Sequence, residues 1–286
     1  MNSISQAHTA LKRLYDRGSS PLELLRDISI ECLQKLDTGL TYTSYSRTDN
    51  KRYLVAAEQN ARSRPINCEL MIWNPQEFSR RWDNFIGSIE PINHISRCDE
   101  HEVNCVIYTA IMSFSASYDI WKNRSRKTPG THFEVLLGSL IHQFLPSFSR
   151  DKFIRLPNQD EKVSTDIVFD NDGVGIVIPA KITTRERIVQ PYAHQRILDS
   201  IFGVGRYRSI LLCVSETQRD DDKHAVHDIC VPGTIRLFQE HLSHLYGLYY
   251  LDPPPRYQKA DITSLTKSAT IGALLTRDLP TLVSIR

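Results

Sequence analysis

The chain has 286 residues, 41% apolar and 24% charged, a composition that excludes wholesale disorder and fibrous repeats. Length alone predicts one to two domains with a full buried core. With 35 Lys and Arg against 33 Asp and Glu the formal charge is +2, too balanced to announce a polyanion partner, although binding depends on where the basic groups sit.

No apolar run reaches the roughly 18–20 residues of a membrane span. The longest, 135–145, is interrupted by Gly138, Ser139, His142 and Gln143. The N-terminus lacks the apolar stretch of a secretory signal, and the six cysteines are scattered without a C-x-x-C pair. These features predict a reduced, cytoplasmic protein with no membrane association.

In chain order, Ala7, Leu11, Leu14 and Tyr15 define one helical face, and Leu22, Leu25, Ile28 and Leu33 a second after the Ser20-Pro21 start. Residues 40–66 read as polar and irregular. Asn74-Pro75 opens a helix through Phe78, Trp82 and Phe85, and another is predicted over 101–121. A basic, turn-rich loop at 123–130 leads into a helix over 131–144. Strand-like runs follow at 153–156, 163–169 and 174–182, the last two joined by Asp170-Asn171-Asp172-Gly173, a hairpin signal. A helix at 188–202, a strand at 209–215, a charged loop at 218–223, a strand at 226–231, a helix at 233–245, a strand at 246–251 and a helix at 262–275 complete the reading. The order predicts an α/β fold: a mixed β-sheet core flanked by helices over 123–286, preceded by a helical N-terminal region over 1–122.

The chemistry concentrates in Glu134, Asp166 and Lys181. Glu134 sits on the helix after the Pro129-Gly130 turn, Asp166 on the first hairpin strand and Lys181 near the end of the second. A hairpin can bring Asp166 and Lys181 together. Carboxylates bind Mg²⁺ through hard oxygens, the ion neutralises a scissile phosphate, and a lysine beside it orients water and steadies developing charge.

Beyond Lys181 the chain reads Ile182-Thr183-Thr184-Arg185-Glu186-Arg187. Residues 118–255 resemble the Type II restriction endonucleases of the PD-(D/E)XK superfamily, and more narrowly the branch that reads CCGG or CCNGG sites. There a strand carries the catalytic lysine, and four residues later an Arg-Glu-Arg triplet opens a helix that reads bases; Lys181 followed by Arg185, Glu186 and Arg187 matches that spacing. Ser164-Thr165-Asp166-Ile167-Val168-Phe169 is similar to the metal-binding strand of the family, and Glu134 to its additional helical acid.

The resemblance implies a restriction-endonuclease-like fold and bacterial-type intracellular, Mg²⁺-dependent, site-specific cleavage of double-stranded DNA at a palindrome containing CC/GG by a homodimer. It implies that Asp166 and Glu134 hold the metal and that Lys181 acts on the attacking water. Arg suits guanine O6 and N7, and Glu the cytosine amino group, so the triplet fits adjacent G·C pairs.

The pattern departs in two places. Pro179 stands where the family has a second acid, two residues before the lysine, and His194 stands where several members carry a helical Glu. Either His194 serves as a catalytic residue in an altered site, or a single metal is held, or the helix register differs. Arg124, Arg126, Lys127 and Gln190 are expected on the DNA backbone, with Tyr192 and Arg196 on the same helix as further contacts. The N-terminal helices are expected to clamp DNA or contact the partner subunit. The alternatives are a nuclease of the same superfamily without sequence specificity, and an inactive DNA-binding homologue.

Overall fold

The computed structural model describes residues 2–90, 98–122 and 127–284. The chain divides into two compact units. The first comprises 1–89, 101–140 and 217–229, the second 90–100, 141–216 and 230–286.

The first unit carries α1 (Asn2–Asp16), α2 (Leu22–Leu36), β1 (Thr41–Ser46), β2 (Arg52–Glu58), β3 (Ala61–Arg62), β4 (Ile66–Asn67), α3 (Pro75–Gly87), almost all of α4 (Glu100–Trp121) and most of α5 (Thr128–Phe144). The stretch expected to be irregular is thus a hairpin, with Thr41 opposite Ala57 and Ser46 opposite Arg52. Its Tyr, Thr and Val content favours a pleated, half-buried surface, while its hydroxyls mask the apolar alternation. Asn74 caps α3 as the sequence predicts, its Oδ1 accepting from Glu77 N at 2.8 Å.

Helix α4 is buried on nearly every side from Val103 to Ile120, as a helix apolar all round must be. No helix among the described residues is long and apolar enough to cross a membrane. Polar groups on α4 serve its neighbours: Tyr108 OH accepts from Asn67 N at 2.7 Å, and the Asp119 carboxylate takes a bidentate pair of bonds from Arg64.

The second unit holds β5 (Ser149–Arg155), β6 (Lys162–Asn171), β7 (Val174–Ile178), β8 (Ala180–Lys181), a 3-10 turn (Arg185–Ile188), α6 (Val189–Phe202) and β9 (Tyr207–Ser215). The chain then contributes β10 (Thr217–Asp220) and β11 (Ala225–Asp228) to the first unit, where they pair with each other and β11 joins β1. The charged stretch expected as a loop is therefore half strand. Back in the second unit come α7 (Pro232–His241), β12 (Gly247–Asp252) and β13 (Ser268–Thr270).

The helix expected over 262–275 does not form as one piece. Residues 268–270 pair in parallel with Leu248–Tyr250 instead, and helical structure resumes only at Ile271, capped by the Thr270 hydroxyl. Pairing with a buried strand overrides local helix preference here.

Among the described residues, the second unit's sheet runs β13-β12-β9-β7-β6-β5, with β8 also on β9. Parallel pairing of β7 and β12 with β9 explains why β9 and β12 are buried almost throughout. The β6–β7 hairpin is tighter than expected. Asn171 pairs with Val174, leaving Asp172-Gly173 as a two-residue turn. At that end Asp170 accepts from Arg206 Nη1 and from Tyr207 OH, each at 2.8 Å, tying the hairpin to β9.

Candidate active site

At the opposite end of the hairpin the last pair is Ile167 with Ile178. The next residues out are Asp166 and Pro179. Proline has no N–H to donate, so β7 ends there, and the chain rejoins β9 two residues on, where Ala180 pairs with Leu212 and Lys181 with Cys213. The break turns two donors toward one carboxylate. Asp166 Oδ2 accepts from Ala180 N at 2.8 Å and from Lys181 Nζ at 2.6 Å. Both side chains are about four-fifths buried, with relative exposures of 17% for Lys181 and 21% for Asp166. The expected pairing of Asp166 with Lys181 is therefore observed.

These residues line a cleft of about 240 Å³ with Ser164, Thr165, Pro179, Gln190 and His194. Gln190 and His194 lie four apart on α6 and so share a face. Gln195 fixes how that face is presented. Its Nε2 donates to Tyr207 O at 2.9 Å and to Asp199 at 2.7 Å, and its Oε1 accepts from Ser209 N at 2.8 Å. Burial, reinforced by the positive charge of Lys181, holds the His194 imidazole below its ordinary pKa, with Asp166 opposing. Its neutral form is therefore favoured at neutral pH.

The cleft offers Asp166 as its single carboxylate among the described residues, and these residues include no group of three or more His, Cys, Asp and Glu placed to hold a metal. The hydrogen bonds from Ala180 N and Lys181 Nζ both fall on Oδ2 of Asp166. Thr165 Oγ1 is buried with no hydrogen-bond partner among the described residues. One carboxylate, an unused hydroxyl and open space suit a hard cation that keeps most of its waters and takes substrate oxygens. They do not make a dedicated all-protein cage.

Arg185–Ile188 forms a 3-10 turn rather than the first turn of the helix, which begins at Val189. Arg187 is exposed, and the side chains of Arg185 and Glu186 lie outside the described residues. Ile188 is 3% exposed and packs with Tyr192, Leu211 and Cys213, anchoring the turn. Tyr192, expected to reach DNA, is fully buried in that cluster. The apolar stripe of α6 claims it. Arg196 is exposed. Glu134 is half-buried on α5 in the first unit, and Lys127 is exposed just before that helix; Arg124 and Arg126 lie outside the described residues.

The sequence reading missed Gln195 and Glu216, both fully buried. A charge directly after the apolar run 209–215 was the available signal for Glu216.

No family model matches the chain, and no curated protein does. Among solved structures it is similar to the Type IIP restriction endonuclease Kpn2I, at 35% identity over 99% of this chain and 98% of that one, with a TM-score of 0.89. This chain belongs to the Type II restriction endonucleases. Two other restriction endonucleases are more distant. PspGI, solved with substrate DNA, shows 11% identity over 73% of this chain and 92% of that one, at a TM-score of 0.44. BsaWI, in a pre-specific DNA complex, shows 13% identity over 99% and 93%, at 0.34. The restriction endonuclease is accordingly a DNA-binding nuclease on a mixed α/β scaffold.

Proposed function

We propose that this restriction endonuclease cuts double-stranded DNA with Mg²⁺ at a palindromic site containing CC/GG, of the CCGG or CCNGG kind, as a homodimer. The observation that carries the reading is the shared cleft of Asp166 and Lys181, with the turn Arg185–Ile188 four residues further on.

In this reading Asp166 would hold the metal, which when bound would supply charge neutralisation at the scissile phosphate and activation of water; Glu134 is assigned to the metal on the sequence resemblance alone. Lys181 Nζ, held by Asp166, directs a hydrogen-bond donor at the attacking water and the phosphate oxygens, steadying negative charge as it develops. His194 faces the same space in its neutral form and orients water from the α6 side, in the place of the acid other family members carry there. The imidazole is a poor Mg²⁺ ligand, so it contributes hydrogen bonding rather than a second cation.

Arg185, Glu186 and Arg187 read base edges in the major groove. A turn rooted in the core by Ile188, with Arg187 exposed beside it, supports this role. Gln190, Arg124, Arg126 and Lys127 hold the backbone. A palindrome implies a two-fold dimer in which each subunit reads one half. The N-terminal region 1–122 supplies clamp or dimer contacts, and 123–286 carries the nuclease chemistry.

Digestion of a plasmid of known sequence with Mg²⁺, followed by sequencing of the cut ends, tests the whole reading. Ends that share a CC/GG palindrome are expected. Ends scattered without a shared sequence would favour a nuclease that holds only phosphates.

A further inference from the structure

The base-reading turn has a support outside every residue assigned above. Glu216, the residue after β9, is fully buried. Its carboxylate accepts Thr184 N at 3.0 Å through Oε1 and 3.2 Å through Oε2, and Oε1 also accepts the Thr184 hydroxyl. Cys213 Sγ lies 3.7 Å from the same oxygen. Thr184 is 2% exposed and immediately precedes the Arg185–Ile188 turn, whose first hydrogen bond runs from Arg187 N to Thr184 O at 3.0 Å. Neither Thr184 nor Glu216 lines the Asp166–Lys181 cleft.

Burying a carboxylate is costly, and this one accepts both the N–H and the hydroxyl of Thr184 at the root of the turn. The triplet therefore hangs between two fixed points. Thr184 is held by Glu216 on one side, and Ile188 is held by the core on the other. These two contacts fix the ends of the span that carries the triplet. Readout of a base pair depends on donor and acceptor positions fixed to a fraction of an ångström.

We propose that Glu216 is a positioning residue that sets the sequence discrimination of this enzyme by anchoring the turn through Thr184. The inference rests on the base-reading role of that turn. Contact with DNA by Glu216 itself is not part of it.

The test uses the full chain and two variants, Glu216→Gln and Thr184→Val. Cleavage rate constants are measured on a duplex carrying the site found by plasmid digestion and on duplexes altered at one G·C pair. Discrimination is expected to fall about tenfold or more in each variant, the size of one lost hydrogen bond to a charged group. Affinity for unrelated duplex, measured with Ca²⁺, is expected to stay near wild type, and melting temperature to fall by only a few degrees, with the fold retained. The double variant is expected to discriminate no worse than the poorer single variant, because both substitutions cut the same link. A purely structural role would slow cleavage of all duplexes alike and leave the ratio unchanged, and that result overturns the proposal. If Glu216→Gln fails to fold, Thr184→Val decides alone: a wild-type ratio in that variant refutes the anchor. A wild-type enzyme that cuts every duplex equally defeats the base-reading role first and this inference with it, a result distinct from a selective wild type with selective variants.

Discussion

Lys181 Nζ lies 2.6 Å from Asp166 Oδ2, across a hairpin whose second strand is broken by a proline. The break also aims the Ala180 N–H at the same oxygen. Two donors on one oxygen set the orientation of the carboxylate before any ligand arrives. This arrangement makes Asp166 a positioned acceptor and Lys181 a positioned donor in one cleft.

Removal of the ammonium is expected to slow DNA cleavage by about 10²-fold or more in Lys181→Ala, the usual scale for a lost charge-stabilising or proton-handling group. Asp166→Asn should fall at least as far. Single-turnover cleavage of a site-containing plasmid, with duplex binding measured alongside, separates chemistry from affinity. Equal nicking by wild type and Lys181→Ala would remove Lys181 from the mechanism.

The Arg185, Glu186 and Arg187 triplet makes a different prediction. Arg187→Ala and Glu186→Ala should each cost about 1–3 kcal/mol of discrimination at one base pair while leaving the fold intact. Competition binding with duplexes altered one pair at a time reads this directly. A uniform loss across all sequences would assign these side chains to phosphate instead.

Gly175 pairs with Tyr207 across β7 and β9, and a Cβ there would come within 2.4 Å of the Tyr207 ring. That ring is buried, and its hydroxyl donates to Asp170. Gly175→Ala is therefore expected to destabilise by about 1–3 kcal/mol through overpacking, read as a lower midpoint in urea unfolding. An unchanged midpoint would mean that the ring relocates at no cost.

Acid sensitivity should arise in the first unit. His132 stacks on Phe114 at 3.8 Å between ring centroids, its Nδ1 lies 3.4 Å from His8 Nδ1, and its Nε2 has no partner among the described residues. Burial lowers the His8 pKa to about 4, Lys12 adding to the effect, and burial with His8 lowers that of His132 well below the ordinary value. A folded-state pKa below the unfolded one means that the unfolded chain binds more protons. Stability is thus fully present above about pH 6.5 and is lost as pH falls toward 4, on the order of 3 kcal/mol from His8 alone. Melting temperature should drop steadily over that window, and His132→Phe should flatten the slope. An identical slope in the variant would place the acid response elsewhere.

Local chemistry made much of this protein legible before any fold was known. Asp172-Gly173 between two β-branched runs specifies a tight turn, and the turn sets the register that carries Asp166 to Lys181. Asn74-Pro75 specifies a helix start because cap and φ are local properties. The 41–58 hairpin was hidden because its inward face is built partly from tyrosines, whose rings pack while their hydroxyls read as polar. The state of residues 268–270 is not legible locally because a neighbouring strand, distant in sequence, decides it.

By itself, then, the sequence determined the acid, the amine and the spacing of the Arg-Glu-Arg triplet, since these depend on residue type and on neighbours along the chain. Only the tertiary structure decided that Pro179 would redirect the Ala180 N–H onto Asp166, that Tyr192 would be core, and that Glu216 would hold Thr184 across 32 residues of chain. Burial and long-range hydrogen bonding are properties of the packed molecule, and no local pattern encodes which carboxylate will be enclosed.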